Sequence, residues 1–177
     1  MRPFSSQKAV LDALSLGLTA LAVFTVLYFF VVRSFWIPSP SMVPTIMPGD
    51  RVFADMLSYR FRRPRRGEVV VVKVPPSAAA EGDIFIKRIV AVGGQEVQVT
   101  DGKLYVDGKP PSEPYVADID PRQQFPLARV PEGTVFVMGD NRPNSKDSTF
   151  FGPISDDHVL GRGVFTYWPP GRVGILR

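Results

Sequence analysis

The chain has 177 residues, a length that allows one domain of ordinary size and an additional segment. It contains no cysteine and one histidine, which excludes a disulfide framework, a zinc–thiolate site, a cysteine nucleophile and a histidine-rich metal site. The net charge of +4 suits anionic lipid headgroups or nucleic acid and does not choose between them. Eighteen prolines and fifteen glycines favour a body built from strands and loops.

An uncharged apolar run, ALSLGLTALAVFTVLYFFVV, occupies residues 13–32. As a helix, roughly 20 residues span about 30 Å, the thickness of a bilayer core. A buried core helix and a cleaved signal peptide are the alternatives. A signal peptide has a shorter apolar core followed by a small-x-small cleavage site, and the sequence after Val32 has no such site. The run therefore predicts a retained single-pass membrane anchor.

Charges near the two ends of this anchor indicate its orientation. Arg2, Lys8 and the amino terminus outweigh Arg33, which favours an N-terminus in the cytoplasm. We therefore expect an N-terminal tail and anchor at 1–34, and a β-rich domain at 35–177 on the outer face of the cell membrane.

The stretch IPSPSMVPTIMPGD, residues 37–50, follows the anchor. Proline fixes its own φ and pushes the preceding residue toward extended geometry, so Pro40 should hold Ser39 and Ser41 in a stiff, extended backbone. A stiff, exposed serine is what an acyl-transfer nucleophile requires. A proline-rich linker is the alternative, and the stretch on its own is more typical of a linker.

The remainder of the chain has the pattern of a β protein. Apolar and β-branched runs predict strands at 51–59, 68–74, 84–92, 134–138 and 163–168. A hairpin is expected at 97–106, turning at Asp101 and Gly102, whereas the proline-rich 110–131 is expected to be a loop. The predicted fold is mainly β, with a single N-terminal transmembrane helix followed by an all-β domain of antiparallel sheets.

A basic cluster, RFRRPRR at 60–66, precedes one of these strands. A solvated loop is the plainer interpretation. Contact with anionic lipid headgroups is the alternative, because juxtamembrane basic clusters are attracted to such surfaces. Nucleic-acid binding is not expected, since no aromatic stacking platform accompanies the cluster.

Lys87 lies in the middle of an apolar run, IFIKRIVAV. On a strand it shares one face with Phe85 and Ile89, and both faces are largely apolar, which predicts a central strand. Complete burial lowers the pKa of a lysine by up to about 3–5 units, and a neutral lysine is a general base. A lysine that extends its ammonium group into water is the more ordinary alternative.

A second polar stretch, MGDNRPNSKDS at 138–148, follows a predicted strand. It is either an ordinary turn or a loop that orients a catalytic group. Ser41 and Lys87 together suggest a serine–lysine dyad, since a nucleophile needs a base within hydrogen-bond reach. The single histidine, His158, lies in the polar segment SDDHV and is more typical of a surface residue.

Four motifs follow one another behind the anchor: PSPSMVPT with PGD, RRGEVVVVKVP, FIKRIVAVGG, and MGDNRPNSKDS followed by FFGPI and GR. In this order they closely resemble bacterial type I signal peptidases, membrane-anchored serine–lysine proteases that remove signal peptides from exported proteins. The resemblance implies that the protease prefers small residues at the first and third positions before the cleaved bond. It implies signal peptides, the lipid bilayer and the protein-export translocon as partners, and no nucleic acid, metal or cofactor.

The resemblance also implies roles for individual residues. Ser41 is expected to be the nucleophile and Lys87 the general base. Ser39 is expected to assist the backbone N–H of Ser41 in the oxyanion hole. Ser145 matches the serine that donates or accepts a hydrogen bond with the lysine.

Further matches concern support and substrate binding. Asp140 and Arg88 are expected to form a structural ion pair near the site, and Asp147 is the second acid of the same loop. Mostly apolar residues are expected to form shallow substrate pockets: Phe35, Ile37, Pro38, Met42, Ile46, Val52, Val71, Phe85 and Ile86.

The chain departs from the family pattern near this loop. Thr149 stands where the family commonly has arginine, so Asp147 lacks its usual partner, and Arg142 or Lys146 could replace it. Pro143 stands in place of a more usual polar residue. Neither change affects the expected nucleophile or base.

Two other functions are alternatives to the protease. A non-catalytic, membrane-tethered β domain that binds exported chains is disfavoured because Ser41 and Lys87 are both present. A self-cleaving serine–lysine protease of the repressor type would need a DNA-binding domain, and the N-terminal segment here is an apolar anchor.

Overall fold

The structure is a computed structural model that describes the backbone of residues 4–74 and 84–176, and their side chains except those of 4–7 and 27–30. Arg2, one of the charges that orient the anchor, lies outside the described residues. The described helices are α1, Phe4–Val31, and α2, Ser148–Phe151, with short 3-10 helices at Ser58–Arg60, Arg142–Asn144, Asp156–His158 and Pro170–Arg172. The described strands are β1 Val32–Trp36, β2 Arg51–Asp55, β3 Val69–Lys73, β4 Ile84–Val92, β5 Glu96–Thr100, β6 Lys103–Val106, β7 Phe125–Arg129, β8 Thr134–Met138, β9 Ile154–Ser155, β10 Val159–Trp168 and β11 Gly174–Ile175.

Within the described residues, one helix is long and apolar enough to cross a membrane, over Lys8–Val26. The described apolar side chains of this span, such as Leu16 and Leu18, are exposed rather than packed against the domain. That exposure argues against the buried core helix considered above, because such a helix hides its apolar face. α1 is longer than the predicted run and continues without a break into β1.

The larger sheet has eight strands, in the order β1-β2-β10-β3-β4-β8-β9 with β11 paired to β10. Every pairing in it is antiparallel, which confirms the predicted fold class. β4 lies between β3 and β8, so the strand that carries Lys87 is central, as predicted. β1 pairs with β2 from Val32 to Trp36, so the division expected between residues 34 and 35 falls inside a strand of the sheet.

The smaller sheet has the order β6-β5-β7. Its β5–β6 hairpin turns at Asp101 and Gly102, whose φ angles are 52° and 75°, the left-handed backbone that a two-residue hairpin turn requires. The prediction that 110–131 is all loop is wrong, because β7 lies within it and pairs with β5. β7 is an edge strand, where Pro126 is tolerated and an alternating apolar pattern is not required.

The predicted strand at 51–59 ends early, at Asp55. The Asp55 carboxylate accepts hydrogen bonds from the backbone N–H groups of Leu57 (2.8 Å) and Ser58 (3.0 Å). Such hydrogen bonds from a side chain to the backbone that follows it stabilise a turn, so the strand ends here.

The stretch 37–50 is a closed loop rather than an extended one, which corrects the prediction made for the backbone at Ser41. Ile37 and Asp50 are joined at its base by a backbone hydrogen bond of 2.9 Å. Residues 41–45 form a turn in which the N–H of Ile46 donates to the carbonyl of Met42 at 2.9 Å. Burial of the apolar side chains of Met42 and Ile46 in a core cluster stabilises this turn. The prediction from the neighbouring prolines did not take this burial energy into account.

Candidate active site

Ser41 begins the turn that follows Pro40 and is 7% exposed. Its hydroxyl oxygen lies 3.2 Å from that of Ser39. Its carbonyl accepts a hydrogen bond from the Asn141 N–H (3.1 Å), and the Asn141 side-chain amide donates to the Pro40 carbonyl (3.0 Å). The turn that carries the serine is therefore fixed to the loop that follows β8.

Gly139 allows this close approach of the two loops. A Cβ at position 139 would overlap the Ser41 carbonyl oxygen and the Ser145 side chain, since both lie closer to that point than real Cβ contacts allow. Only glycine, which lacks a Cβ, lets the two backbones approach this closely.

Lys87 lies on β4 and is 3% exposed, so its ammonium group does not extend into water. Burial lowers the pKa of Lys87 to about 8, against the opposing attraction of the Asp147 and Asp140 carboxylates. Its Nζ lies 5.4 Å from the centroid of the Phe85 ring. A large fraction of the amine is therefore neutral at mildly alkaline pH.

Ser41 and Lys87 line the same cavity, whose volume is about 520 Å³. Six of the nine predicted pocket residues also line it: Phe35, Ile37, Pro38, Met42, Phe85 and Ile86. The other three, Ile46, Val52 and Val71, are fully buried in the core and do not reach the cavity surface. They support the cavity wall from behind.

Ser145 is buried beside Gly139, and its hydroxyl has no hydrogen-bond partner among the residues that the structure describes. The hydrogen bond expected between Ser145 and Lys87 is not formed in this structure and stays a prediction. A buried hydroxyl without a partner costs about 1–3 kcal/mol, so a small movement that completes the bond would be favourable.

The expected ion pair between Arg88 and Asp140 is present and almost fully buried. Arg88 donates Nε to Asp140 Oδ1 (2.9 Å) and Nη2 to Oδ2 (2.7 Å). The Asp140 carboxylate also accepts a 2.5 Å hydrogen bond from the Thr45 hydroxyl. Arg88 further donates Nη1 to the Gly67 carbonyl (2.8 Å) and lies 3.8 Å from the centroid of the Tyr115 ring. The pair thus joins β4, the loop after β8 and the serine turn.

Asp147 is fully buried and caps α2. Its carboxylate accepts hydrogen bonds from the Thr149 N–H (3.1 Å), the Thr149 hydroxyl (2.8 Å) and the Gly139 N–H (3.1 Å). Thr149 therefore takes the place of the usual arginine as the partner of Asp147. Arg142 instead pairs with Glu113, at 2.5 and 3.1 Å, so the suggestion that it replaces that arginine is wrong. Lys146 is exposed at the cavity and forms no ion pair with Asp147 among the described residues.

A family model described as signal peptidase, peptidase S26, matches residues 10–168. The chain belongs to this signal peptidase family. A probable signal peptidase I-1 of Synechocystis is 39% identical over 169 residues, which cover 93% of this chain and 86% of the relative. The signal peptidase I of Leptolyngbya laminosa is 38% identical over 152 residues, which cover 83% and 74%.

A solved structure is also similar to this signal peptidase. The crystal structure of a signal peptidase I from Enterococcus faecalis is 28% identical and has a TM-score of 0.47, covering 57% of this chain and 97% of that one. Family membership identifies the chain as a peptidase and confirms the resemblance stated from the motifs.

Several residues that shape this peptidase site were missed by sequence reasoning. Thr45 and Asn141 lie inside recognised motifs, yet their bonds depend on which distant loop faces them. Gly139 could have been singled out as a small residue directly before a buried acid. Glu113 lies in the loop 110–124, and no local signal connects it with Arg142.

The buried Lys87 should destabilise the signal peptidase at neutral pH. Its folded-state pKa of about 8 lies below the ordinary value of 10.5, so the cost is fully present below pH 8 and disappears as pH rises toward 10.5. We expect Lys87→Met to raise the free energy of unfolding by about 3 kcal/mol at pH 7 and by about 1 kcal/mol at pH 10. Urea denaturation in detergent at both pH values measures this difference.

The matched control is Lys73→Met, which removes an exposed lysine from the neighbouring strand β3. This substitution should leave the unfolding free energy nearly unchanged at both pH values. An equal gain for Lys87→Met at pH 7 and pH 10 would contradict the pKa shift.

Thr45 is expected to position the serine turn through Asp140. A hydrogen bond to a charged group contributes about 1.5–3 kcal/mol, so Thr45→Val should lower the unfolding free energy by about 2 kcal/mol. It should also lower kcat/KM, because the turn that carries Ser41 loses its bond to the buried ion pair. Thr45→Ser retains the hydroxyl and should restore most of both quantities. If serine and valine behave alike at this position, the hydrogen bond has no positioning role.

Proposed function

We propose that this signal peptidase cleaves signal peptides from exported preproteins as a membrane-bound serine endopeptidase, with Ser41 as nucleophile and Lys87 as general base. The observation that carries the proposal is that a serine hydroxyl and a buried lysine of lowered pKa line one largely apolar cavity. The relatives named signal peptidase I support the same activity.

The chemistry follows from the lowered pKa of the lysine. Neutral Lys87 removes the proton of the Ser41 hydroxyl, and the serine oxygen attacks the carbonyl carbon of the scissile bond. Lys87 then gives this proton to the leaving amine, which leaves an acyl-enzyme on Ser41. In the second half of the reaction, Lys87 takes a proton from water, and the water oxygen attacks the acyl carbon. The bond from that carbon to the Ser41 oxygen breaks, Lys87 returns the proton to Ser41, and the acyl group leaves as a carboxylic acid.

Ser39 is positioned to stabilise the oxyanion. Its hydroxyl lies 3.2 Å from the Ser41 oxygen, and the Ser41 N–H makes no hydrogen bond within the described part of the chain. Both groups can therefore donate to the oxygen on which charge develops. Each such donor contributes about 3–4 kcal/mol in other proteases. Ser145 would support the base by a hydrogen bond that forms during the reaction, and the Asp147 carboxylate would stabilise the protonated state of Lys87 between the two proton transfers.

A free strand edge supports the binding of an extended substrate. Residues 84–87 of β4 pair with β3 on one side, whereas the pairing of β4 with β8 begins only at Arg88 and Met138. Among the described residues, no strand pairs with the second edge of 84–87. An extended peptide can add to this edge by main-chain hydrogen bonds.

The same geometry accounts for a preference for small side chains. Side chains one and three positions before the cut lie on the same face of an extended strand. On this edge they would face the apolar wall formed by Phe35, Ile37, Met42, Phe85 and Ile86, which suits small apolar side chains such as that of alanine.

The anchor determines where cleavage occurs. We assign 1–34 to the tail and anchor and 35–177 to the catalytic domain, with the N-terminus in the cytoplasm and the domain on the outer face of the cell membrane. The excess of positive charge at the N-terminal end, from Arg2, Lys8 and the amino terminus against Arg33, supports this orientation. Tethering at the bilayer, beside the translocon, raises the effective concentration of substrate without additional contacts.

Loss of either dyad residue should abolish cleavage of a preprotein with an Ala-x-Ala site. Ser41→Ala and Lys87→Ala remove the nucleophile and the base, and Ser39→Ala should lower kcat by about 100- to 1,000-fold through the lost oxyanion donor. Lys73→Ala, on the neighbouring strand, serves as control and should cleave at the wild-type rate. Near-normal cleavage by Lys87→Ala would rule out the dyad.

The pH profile should report the state of Lys87. Because only the neutral amine acts as base, kcat/KM should rise with pH through a midpoint near 8. The Asp147 carboxylate raises the pKa of Lys87, so Asp147→Asn should move the midpoint to lower pH. Asp118→Asn removes an exposed, distant charge and should leave it in place. A profile that is flat across this range would contradict the assignment of Lys87 as base.

A further inference from the structure

The basic cluster 60–66 lies on the side of the domain that faces the anchor. β1 runs away from α1, and antiparallel β2 runs back, so that Asp55 pairs with Val32. The chain then continues at Met56, whose N–H donates to the carbonyl of Val31, the last residue of α1, at 2.8 Å. Arg60 follows Met56 by four residues, which span at most about 14 Å. The cluster therefore begins within reach of the membrane surface.

One carboxylate fixes the backbone of this cluster and neutralises one of its arginines. Glu68 accepts hydrogen bonds from the Arg62 guanidinium (2.6 and 3.1 Å), the Arg65 N–H (3.0 Å) and the Tyr59 hydroxyl (3.0 Å). Arg60, Arg63, Arg65 and Arg66 remain exposed, and the charge of Arg66 helps to lower the pKa of Asp107 at the end of β6. The loop thus holds four exposed arginines on a fixed backbone, and Arg60, Arg63 and Arg65 are the three nearest to Phe61 in sequence.

Phe61 is 81% exposed and stands between the arginines. Its N–H donates to the Ser58 carbonyl (3.1 Å), as does that of Arg62 (3.1 Å), so the ring projects from a hydrogen-bonded turn. Aromatic side chains flanked by basic ones are typical of segments that enter the interfacial region of a bilayer.

Two carboxylates oppose the cluster. Asp156 and Asp157 line a surface cavity of about 310 Å³ together with Arg60 and Arg63. Burial raises the pKa of Asp156, and the charge of Arg63 opposes that shift. The five arginines of 60–66 still outnumber these two acids and Glu68, so the loop keeps a positive charge.

We propose that the loop 60–66 is a binding surface for anionic lipid headgroups, in which Arg60, Arg63 and Arg65 contact phosphates and Phe61 enters the interface. The inference rests on the proposed insertion of α1 in the bilayer and goes beyond it, since the anchor alone requires no lipid charge. Juxtamembrane arginines are attracted to anionic leaflets over distances of about one Debye length, roughly 8 Å in physiological salt.

Because the sequence contains no cysteine, one introduced cysteine can be labelled specifically with a fluorescent probe. Phe61→Cys introduces a single labelling site, and an apolar, environment-sensitive fluorophore there takes the place of the ring. The full chain is reconstituted into vesicles of phosphatidylcholine, with or without about 30% phosphatidylglycerol, an anionic lipid. We expect a blue shift, and quenching by nitroxide-labelled lipid, in the anionic vesicles only, with reversal in 1 M salt, where the Debye length is about 3 Å.

Leu127→Cys, an exposed position on β7 in the smaller sheet, is the control for the label and should show neither effect. Flotation of the protein with both kinds of vesicle tests the insertion of α1 separately. Failure to float would overturn the membrane anchor itself, whereas flotation with no quenching at position 61 would overturn only the lipid-binding loop.

Charge variants test which residues are responsible. The binding of the loop to anionic vesicles, read from quenching at position 61, should weaken about fivefold per arginine replaced. We therefore expect a loss of roughly 100-fold for the triple variant Arg60→Gln, Arg63→Gln and Arg65→Gln. The matched set Lys103→Gln, Lys109→Gln and Arg129→Gln removes three charges from the smaller sheet and should have little effect. Asp156→Asn with Asp157→Asn should strengthen docking.

Three results would overturn the proposal. These are equal quenching in neutral and anionic vesicles, equal weakening by the two sets of charge variants, and no change with the aspartate variants. A thermal unfolding midpoint equal to that of the wild type shows that each variant is folded.

Discussion

The ion pair between Arg88 and Asp140 is the interaction on which the rest of the site depends. Its two hydrogen bonds hold the loop after β8 against β4, and the Thr45 hydroxyl adds the serine turn to the same carboxylate. Removing two charges from water is costly, and such a pair is tolerable only when its remaining donors and acceptors are satisfied. Here the Gly67 carbonyl and the Tyr115 ring provide further contacts for Arg88. The pair therefore fixes the relative position of three chain segments that are distant in sequence.

Lys87 and Arg88 are adjacent and basic, yet burial affects them differently. An arginine keeps its charge when buried, because its guanidinium is delocalised, very weakly acidic and less strongly hydrated than an ammonium group. A lysine responds to the same burial with a lowered pKa, as Lys87 does. Alternation along β4 sends the two side chains to opposite faces of the sheet. One strand thus supplies a permanent cation that organises the site and a titratable amine that can act as base.

The sequence predicted those parts of the molecule that depend on local pattern. The apolar strand β4 was predicted with its observed bounds, because nine consecutive residues favour a buried strand regardless of their neighbours. The turn at Ser41 was not predicted, since it depends on hydrogen bonds to Asn141 and on burial of Ile46. The strand β7 was missed because its partner, rather than its own composition, makes it a strand.

The same distinction between local pattern and distant contacts applies to the site residues. Ser41 and Lys87 are predicted as site residues from motif order, whereas the partner of Asp147 depends on how Asp147 and Thr149 begin a helix of one turn. Ile46, Val52 and Val71 were expected at the pocket surface because they match the family's substrate-pocket positions. Sequence does not distinguish an apolar residue that lines a cavity from one that is buried one layer behind it, and these three are buried.

The connection between anchor and cleft is a paired strand rather than a flexible linker. α1 passes directly into β1, and β1 leads to Ile37 and Pro38 at the cavity wall. Five residues of strand extend about 16 Å, and pairing with β2 prevents this segment from bending freely. The height of the cleft above the end of α1 is therefore set by the length of one strand pair. The basic loop leaves the end of that pair next to α1, opposite the cleft. Contact between the loop and the bilayer would therefore fix the angle of the pair, and with it the orientation of the cleft.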